Sequence, residues 1–211
     1  MARVRIKICG IRRVEDLMAA VEEGADAVGM VVGFPSSPRN IGLPEAVEVR
    51  RKVPVFVDAV LVMRADSPDE FRGLVEEVEP DAIQLYGQLS IAEARDLAPE
   101  RRIIKPVKAG TEPSSLDLSR ADAVLLDSHS EALPGGTGRP HNWYTARRFR
   151  EQISLPLILA GGLNPSNVYE AVRIVQPYAV DVSSGVESDP GVKSRELIRA
   201  FIRAALGEEM R

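Results

Sequence analysis

The chain has 211 residues, enough for one domain or at most two small ones, and its 45% hydrophobic and 27% charged content suits a globular protein with a sizeable core. A formal net charge of −4 at pH 7 and a pI near 5.4 lack the electrostatic footprint of a nucleic-acid binder and the polybasic signature of a membrane-surface protein. The longest apolar stretch, Ala27 to Phe34, is far too short to cross a bilayer.

Met1 leads directly into a charged, strand-like segment, so no secretory signal is expected. A single cysteine and mild acidity point to the cytoplasm. The first strand candidate, Val4–Cys9, ends in that cysteine, followed at once by Gly10. Val14–Glu23 then places Val14, Leu17, Met18 and Val21 on one helical stripe. Ala27–Val32 reads as a second strand, and Pro44–Lys52 as a helix with proline at its start, where no amide is needed. Val55–Val62 is the third strand candidate. Ser67-Pro68-Asp69-Glu70 is a plausible cap for a helix carrying Phe71, Leu74 and Val78. Ala82–Leu85, Ile103–Val107, Ala123–Leu126, Leu157–Ala160 and Ala179–Val182 complete the strands. Asn164-Pro165-Ser166-Asn167 opens a helix through Val168, Ala171 and Val172, and Ser194–Leu206 forms the last.

Most of these strands are apolar at successive positions, as strands buried on both faces of a parallel sheet must be. Eight strand–helix beats in a chain this short predict a single (β/α)8 TIM barrel, an α/β fold, spanning residues 1–211. A doubly wound open sheet is the rival architecture. The fifth unit is irregular: Gly110 to Asp122 contains Pro113 and little helical periodicity, so a short helix or a loop is expected there. No linker or composition shift marks a second domain.

In parallel α/β folds the carboxyl ends of the strands form the ligand face. Cys9 sits there, although a free cysteine also serves as a small buried hydrophobe. Lys7, two residues earlier, shares its side of the strand and is placed to lower the thiol pKa or to pair with a neighbouring carboxylate. Arg39, in the loop after the second strand, suits bidentate clamping of a substrate carboxylate and equally suits a solvated surface position. Asp127 follows an apolar strand and so points into a barrel mouth, unless it merely caps a loop. Gly135-Gly136-Thr137-Gly138 is a backbone-exposing segment able to close over a ligand, or a plain turn.

Gly161 and Gly162 after strand seven, with Ser183, Ser184 and Gly185 after strand eight, match the usual phosphate position of barrel enzymes. Neither loop holds a lysine, so backbone amides would carry the binding. His129 and His141 have no ligand-like spacing with Cys9, so no metal is expected. No dinucleotide fingerprint or phosphate-loop lysine appears, so no nucleotide cofactor is expected either.

Taken together, these motifs resemble the phosphoribosylanthranilate isomerases, the barrel enzymes of tryptophan biosynthesis, over essentially the whole chain. The matching stretches are Lys7-Ile8-Cys9-Gly10-Ile11, Gly24-Ala25-Asp26-Ala27-Val28-Gly29, Ser37-Pro38-Arg39, Gln84-Leu85 and Leu125-Leu126-Asp127. They continue with Gly135-Gly136-Thr137-Gly138, Gly161-Gly162-Leu163-Asn164-Pro165 and Asp181-Val182-Ser183-Ser184-Gly185-Val186-Glu187. Ala59-Val60-Leu61-Val62-Met63 is similar to the archaeal branch. Tyr86-Gly87-Gln88 departs from the His and Glu of many members, and Asn142-Trp143 from their Asp.

The resemblance implies an Amadori rearrangement without a cofactor, on a small phosphorylated substrate, with Asp127 as general acid and Cys9 as general base. It implies that Lys7, Arg39 and Asp181 bind the substrate, with Arg39 and Asp181 at its anthranilate end. A monomer or a homodimer is compatible with the sequence. Two other readings remain: a different sugar-phosphate isomerase or epimerase, which has no particular need for Cys9 with Asp127, and a catalytically silent barrel that binds a phosphorylated ligand.

Overall fold

Eight apolar runs become eight parallel strands closed into a barrel: β1 (Arg5–Cys9), β2 (Ala27–Val32), β3 (Asp58–Arg64), β4 (Ala82–Tyr86), β5 (Arg102–Lys108), β6 (Ala123–Asp127), β7 (Leu157–Ala160) and β8 (Ala179–Val182). The computed structural model describes residues 3–127 and 143–208. Each strand pairs with the next, and β1 closes the ring on β8 with Lys7 opposite Asp181. The open-sheet alternative is thereby excluded.

Alternation along each strand sorts the side chains into two cores. Cys9, Val31, Val62, Ile104, Leu125 and Ile158 fill the barrel interior. Ile6, Ile8, Val28, Met30, Leu61 and Ile83 point outward under the helices. Both sets are apolar, which is why the strands read as continuous apolar runs.

The outer ring holds α1 (Val14–Glu22), α2 (Leu43–Lys52), α3 (Pro68–Val78), α4 (Ile91–Leu97), α5 (Trp143–Gln152), α6 (Val168–Val175) and α7 (Arg195–Leu206). Ser67 caps α3 by accepting from the Glu70 amide at 3.3 Å, and Ser194 caps α7 by accepting from Leu197 at 3.3 Å. Ser90 and Glu93 form a reciprocal capping box on α4, a seven-residue helix too short for its apolar spacing to announce. The fifth unit carries only a 3-10 turn, Pro113–Ser115, where the sequence shows no helical period.

One expectation needs correction. The third strand begins at Asp58 rather than Val55, because a turn closed by Val57 N–H to the Pro54 carbonyl precedes it. Phe56 lies in that turn at φ 74 and is 99% exposed, so its apolar character does not mark a strand. A hairpin with no sequence signal follows β8: a 3-10 turn (Ser184–Val186) leads into antiparallel β9 (Glu187–Asp189) and β10 (Val192–Lys193). It lies at the carboxyl end of the barrel and completes one side of the mouth.

The amino end has a repeating device. Asp26, Asp81 and Asp122 each stand one residue before an even-numbered strand and accept a backbone N–H from the preceding odd one. The donors are Ile6 at 2.9 Å, Ala59 at 2.8 Å and Ile103 at 2.6 Å. Each carboxylate also meets arginine: Arg3 and Arg5 at Asp26, Arg50 at Asp81, Arg95 at Asp122.

Candidate active site

Cys9 ends β1 on the inner face, 7% exposed, with Lys7 below it at 3%. Lys7 Nζ donates to Asp181 Oδ1 of the adjacent β8 at 2.9 Å and to Gln84 Oε1 of β4, across the interior, at 3.1 Å. Gln84 Nε2 in turn donates to the Tyr86 hydroxyl at 3.0 Å, and the Tyr86 ring meets Phe34 edge-on, centroids 5.4 Å apart. The buried polar side chains of the barrel are thus tied into one network, as a low-dielectric interior requires.

Gly29 makes room for that network. It lies opposite Cys9 in the β1–β2 register, and a Cβ there would stand 2.9 Å from Cys9 Sγ and 3.2 Å from Lys7 Nζ. Its signal in the sequence is a glycine inside the apolar strand Ala27–Val32, the mark of a close approach. Without a Cβ at this point, thiol and ammonium share one space.

Burial pushes the Cys9 thiol up, Lys7 pulls it down, Asp181 pushes it up and Lys193 pulls it down; the balance stands above the ordinary thiol value. The expectation that Lys7 lowers the thiol pKa therefore holds in direction, but desolvation outweighs it. For Lys7, burial favours the neutral amine, yet Asp181 and Cys9 keep the ammonium pKa above its usual value. Burial likewise raises the Tyr86 phenol to about 12. Lys7 thus takes the ion pair with Asp181, one of the two roles its position allowed.

Asp127 ends β6 and is half-buried, in register with Lys108 of β5 and Ala160 of β7. It lies two residues beyond Leu125, an interior side chain, so alternation puts it on the inner side of the rim. Around the ring, β6 is three strands from β1, so thiol and carboxylate approach the mouth from different sides.

Arg39 is not a solvated surface residue. Its side chain is 23% exposed, and its Nε and Nη2 donate to Glu187 Oε1 at 2.8 Å and Oε2 at 2.7 Å. Glu187 also accepts from Lys193 Nζ at 2.7 Å and the Gly191 amide at 3.2 Å. Burial alone would raise the Glu187 pKa, but Arg39, Lys193 and Gly191 hold it down at about 2. Burial pushes the Lys193 ammonium down, against the pull of Glu187.

At the rim between β7 and β8, Gly161 and Gly162 take positive φ values of 93° and 65°, where side-chain-bearing residues are strained. Gly185 is required for a different reason, since a Cβ there would lie 2.0 Å from the Leu163 carbonyl oxygen. The two loops are therefore in backbone contact. Ser183 Oγ donates to the Cys9 carbonyl at 3.1 Å, linking this rim to β1, and Ser184 opens the 3-10 turn. The four residues Gly135, Gly136, Thr137 and Gly138 lie outside the described residues, as do His129, His141 and Asn142.

Among the described residues no cluster of His, Cys, Asp and Glu side chains is arranged to hold a metal, and no helix is long and apolar enough to cross a membrane. A parallel barrel with buried charges, a thiol and a carboxylate gathered at its carboxyl end has the layout of a (β/α)8-barrel enzyme. A sequence profile of the N-(5'-phosphoribosyl)anthranilate (PRA) isomerase family matches residues 6–204. The PRA isomerase of Natronomonas pharaonis is 44% identical over 206 residues, 96% of this chain and 98% of that protein. The crystal structure of the Thermotoga maritima enzyme superposes with a TM-score of 0.85 at 38% identity, covering 97% of this chain and 99% of that one. A PRA isomerase in complex with reduced 1-(o-carboxyphenylamino)-1-deoxyribulose 5-phosphate superposes at 0.82 with 37% identity, over 97% and 99% of the chains. The chain belongs to the phosphoribosylanthranilate isomerase family.

Proposed function

We infer that this protein converts N-(5-phosphoribosyl)anthranilate to 1-(2-carboxyphenylamino)-1-deoxyribulose 5-phosphate, the aldose–ketose step of tryptophan biosynthesis. Family membership over nearly the whole chain carries this reading, and the position of Cys9 at the end of β1 and of Asp127 at the end of β6, both at the carboxyl end of the barrel, supports the mechanism.

Asp127 protonates the furanose ring oxygen as the bond from that oxygen to C1 breaks, and the anilino nitrogen lone pair forms the iminium. Cys9, as thiolate, takes the proton from C2, whose electrons flow through C1 to neutralise the nitrogen and give an enolamine. Ketonisation of the enolamine gives the product. The substrate nitrogen is the electron sink, so the residues supply only proton transfer and orientation. Lys7 stabilises the thiolate when it forms, and because the thiol pKa is raised, the base form grows as pH rises.

The amides around Gly161, Gly162 and Gly185, with Ser184 at the turn, are the proposed phosphate seat. Arg39 and Asp181 face the anthranilate end. These residues belong to one chain, so the proposal holds for a monomer and for a homodimer. The cytoplasm is the proposed compartment, because the free thiol of Cys9 must stay reduced. Loss of substrate fluorescence with purified protein is the test. Decay well above the spontaneous rate is expected, and decay at the spontaneous rate would point to another sugar-phosphate isomerase or a silent barrel.

A further inference from the structure

We propose that Glu187 and Lys193 are positioning residues that aim Arg39 at the substrate carboxylate and tie this clamp to the phosphate rim. The inference rests on the proposed function, which supplies a ligand with a carboxylate at one end and a phosphate at the other.

Arg39 stands on the loop after β2, where nothing in the loop itself fixes a long, flexible side chain. Glu187 does so from the other side of the mouth, gripping the Nε–Nη2 edge through both carboxylate oxygens. The Nη1 end, with its remaining donors, is left as the edge that meets a second carboxylate in a forked pair. Gly10 assists, because a Cβ there would stand 2.9 Å from Arg39 Cδ. The arginine stem lies across this glycine, directly after Cys9.

Charge explains why Lys193 is needed. Paired with Arg39 alone, Glu187 would cancel the guanidinium, and a substrate carboxylate would meet a neutral pair beside a carboxylate. Lys193 adds a second cation on the same Glu187 oxygen that Arg39 Nε holds, so the cluster keeps a net positive charge. Its side chain is 0% exposed, which removes screening by water. A surface lysine would not carry the same field.

Lys193 also reaches the rim. Its Nζ donates to the Ser183 carbonyl at 3.1 Å, and Ser183 Oγ donates to the Cys9 carbonyl at 3.1 Å. The chain of contacts therefore runs from clamp to Glu187, Lys193, phosphate rim and base strand. Substrate recognition at both ends is referred to one buried lysine on a hairpin that carries no candidate catalytic group.

The test uses two stable ligands: reduced 1-(o-carboxyphenylamino)-1-deoxyribulose 5-phosphate and its phenylamino counterpart without the carboxyl group. Affinities are measured for the wild-type chain, Lys193→Met and Glu187→Gln, with thermal melts to confirm folding; the second variant serves if the first fails to fold. The wild type should prefer the carboxylated ligand, and each variant should lose at least about tenfold of that preference, the scale of one charge-assisted contact. For turnover, KM should rise by more than kcat falls. An unchanged preference, with both ligands weakened equally, would reduce the triad to a structural ion pair and overturn the proposal. Absence of turnover and of any ligand binding in the wild type would instead defeat the proposed function.

Discussion

The two ends of the barrel use the same chemical pairing to opposite ends. At the amino end, Asp26 pairs with the exposed Arg3 and Arg5, at 49% and 56%, while Asp81 and Asp122, themselves 30% and 41% exposed, pair with Arg50 and Arg95. Each carboxylate mainly serves a strand, by accepting the N–H that starts its pairing. The device recurs before β2, β4 and β6, whereas the residue that precedes β8 is Tyr178, which carries no carboxylate. At the carboxyl end, Lys7–Asp181 and Lys193–Glu187 are buried pairs. Exposed pairs contribute roughly 0–1 kcal/mol, whereas breaking a buried one costs about 3–5 kcal/mol because an unpaired charge is left behind. The amino end is built for register and the carboxyl end for held charge, the usual division of labour in this fold.

The contrast can be broken most forcefully at Lys7. Lys7→Met leaves Asp181 buried without its cation, and urea denaturation should show a loss of about 3–5 kcal/mol. The same variant sharpens the pH argument. The Cys9 pKa lies above its ordinary value and Lys7 is one of the groups restraining it, so wild-type kcat/KM should climb from neutral into alkaline pH. In the variant the climb should begin at higher pH. Unchanged stability together with an unchanged profile would erase the distinction between the ends.

A smaller effect is expected at the rim. Gly185→Ala forces a Cβ to within 2.0 Å of the Leu163 carbonyl, so the loops after β7 and β8 must part. Steady-state kinetics should show KM for the phosphorylated substrate raised by roughly tenfold or more, as displacements of this size do. The smallest effect belongs to the amino end. Asp81→Asn weakens one arginine contact and one strand-starting hydrogen bond, so a melt should show about 1 kcal/mol and turnover should not move.

Much of this architecture was legible in the chain because burial on both faces writes a strand as an unbroken apolar run, as in Ala27–Val32. The run Val55–Val57 misleads for the same reason, since exposure at a turn leaves apolar residues that look like strand. The positions of Cys9 and Asp127 were legible because a group closing an apolar strand has few other places to point, and that of Lys7 because it shares the face of Cys9 on β1. Glu187 and Lys193 were not, although Glu187 ends a motif that resembles the family. Their partners lie 148 positions away at Arg39, or across a hairpin turn, and neither separation leaves a periodic trace. Gly29 was readable only as a break in apolar pattern, and the thiol and ammonium that explain it come from another strand.

The most direct measurement is the single-turnover rate of Cys9→Ala and Asp127→Asn, set beside their affinity for reduced 1-(o-carboxyphenylamino)-1-deoxyribulose 5-phosphate. Each rate should fall by at least ~10²-fold, the scale of a general acid or base, with affinity within roughly threefold of wild type, because these groups act on the reacting atoms rather than the anionic ends. Turnover near the wild-type rate in either variant would contradict the assignment of base to Cys9 or acid to Asp127.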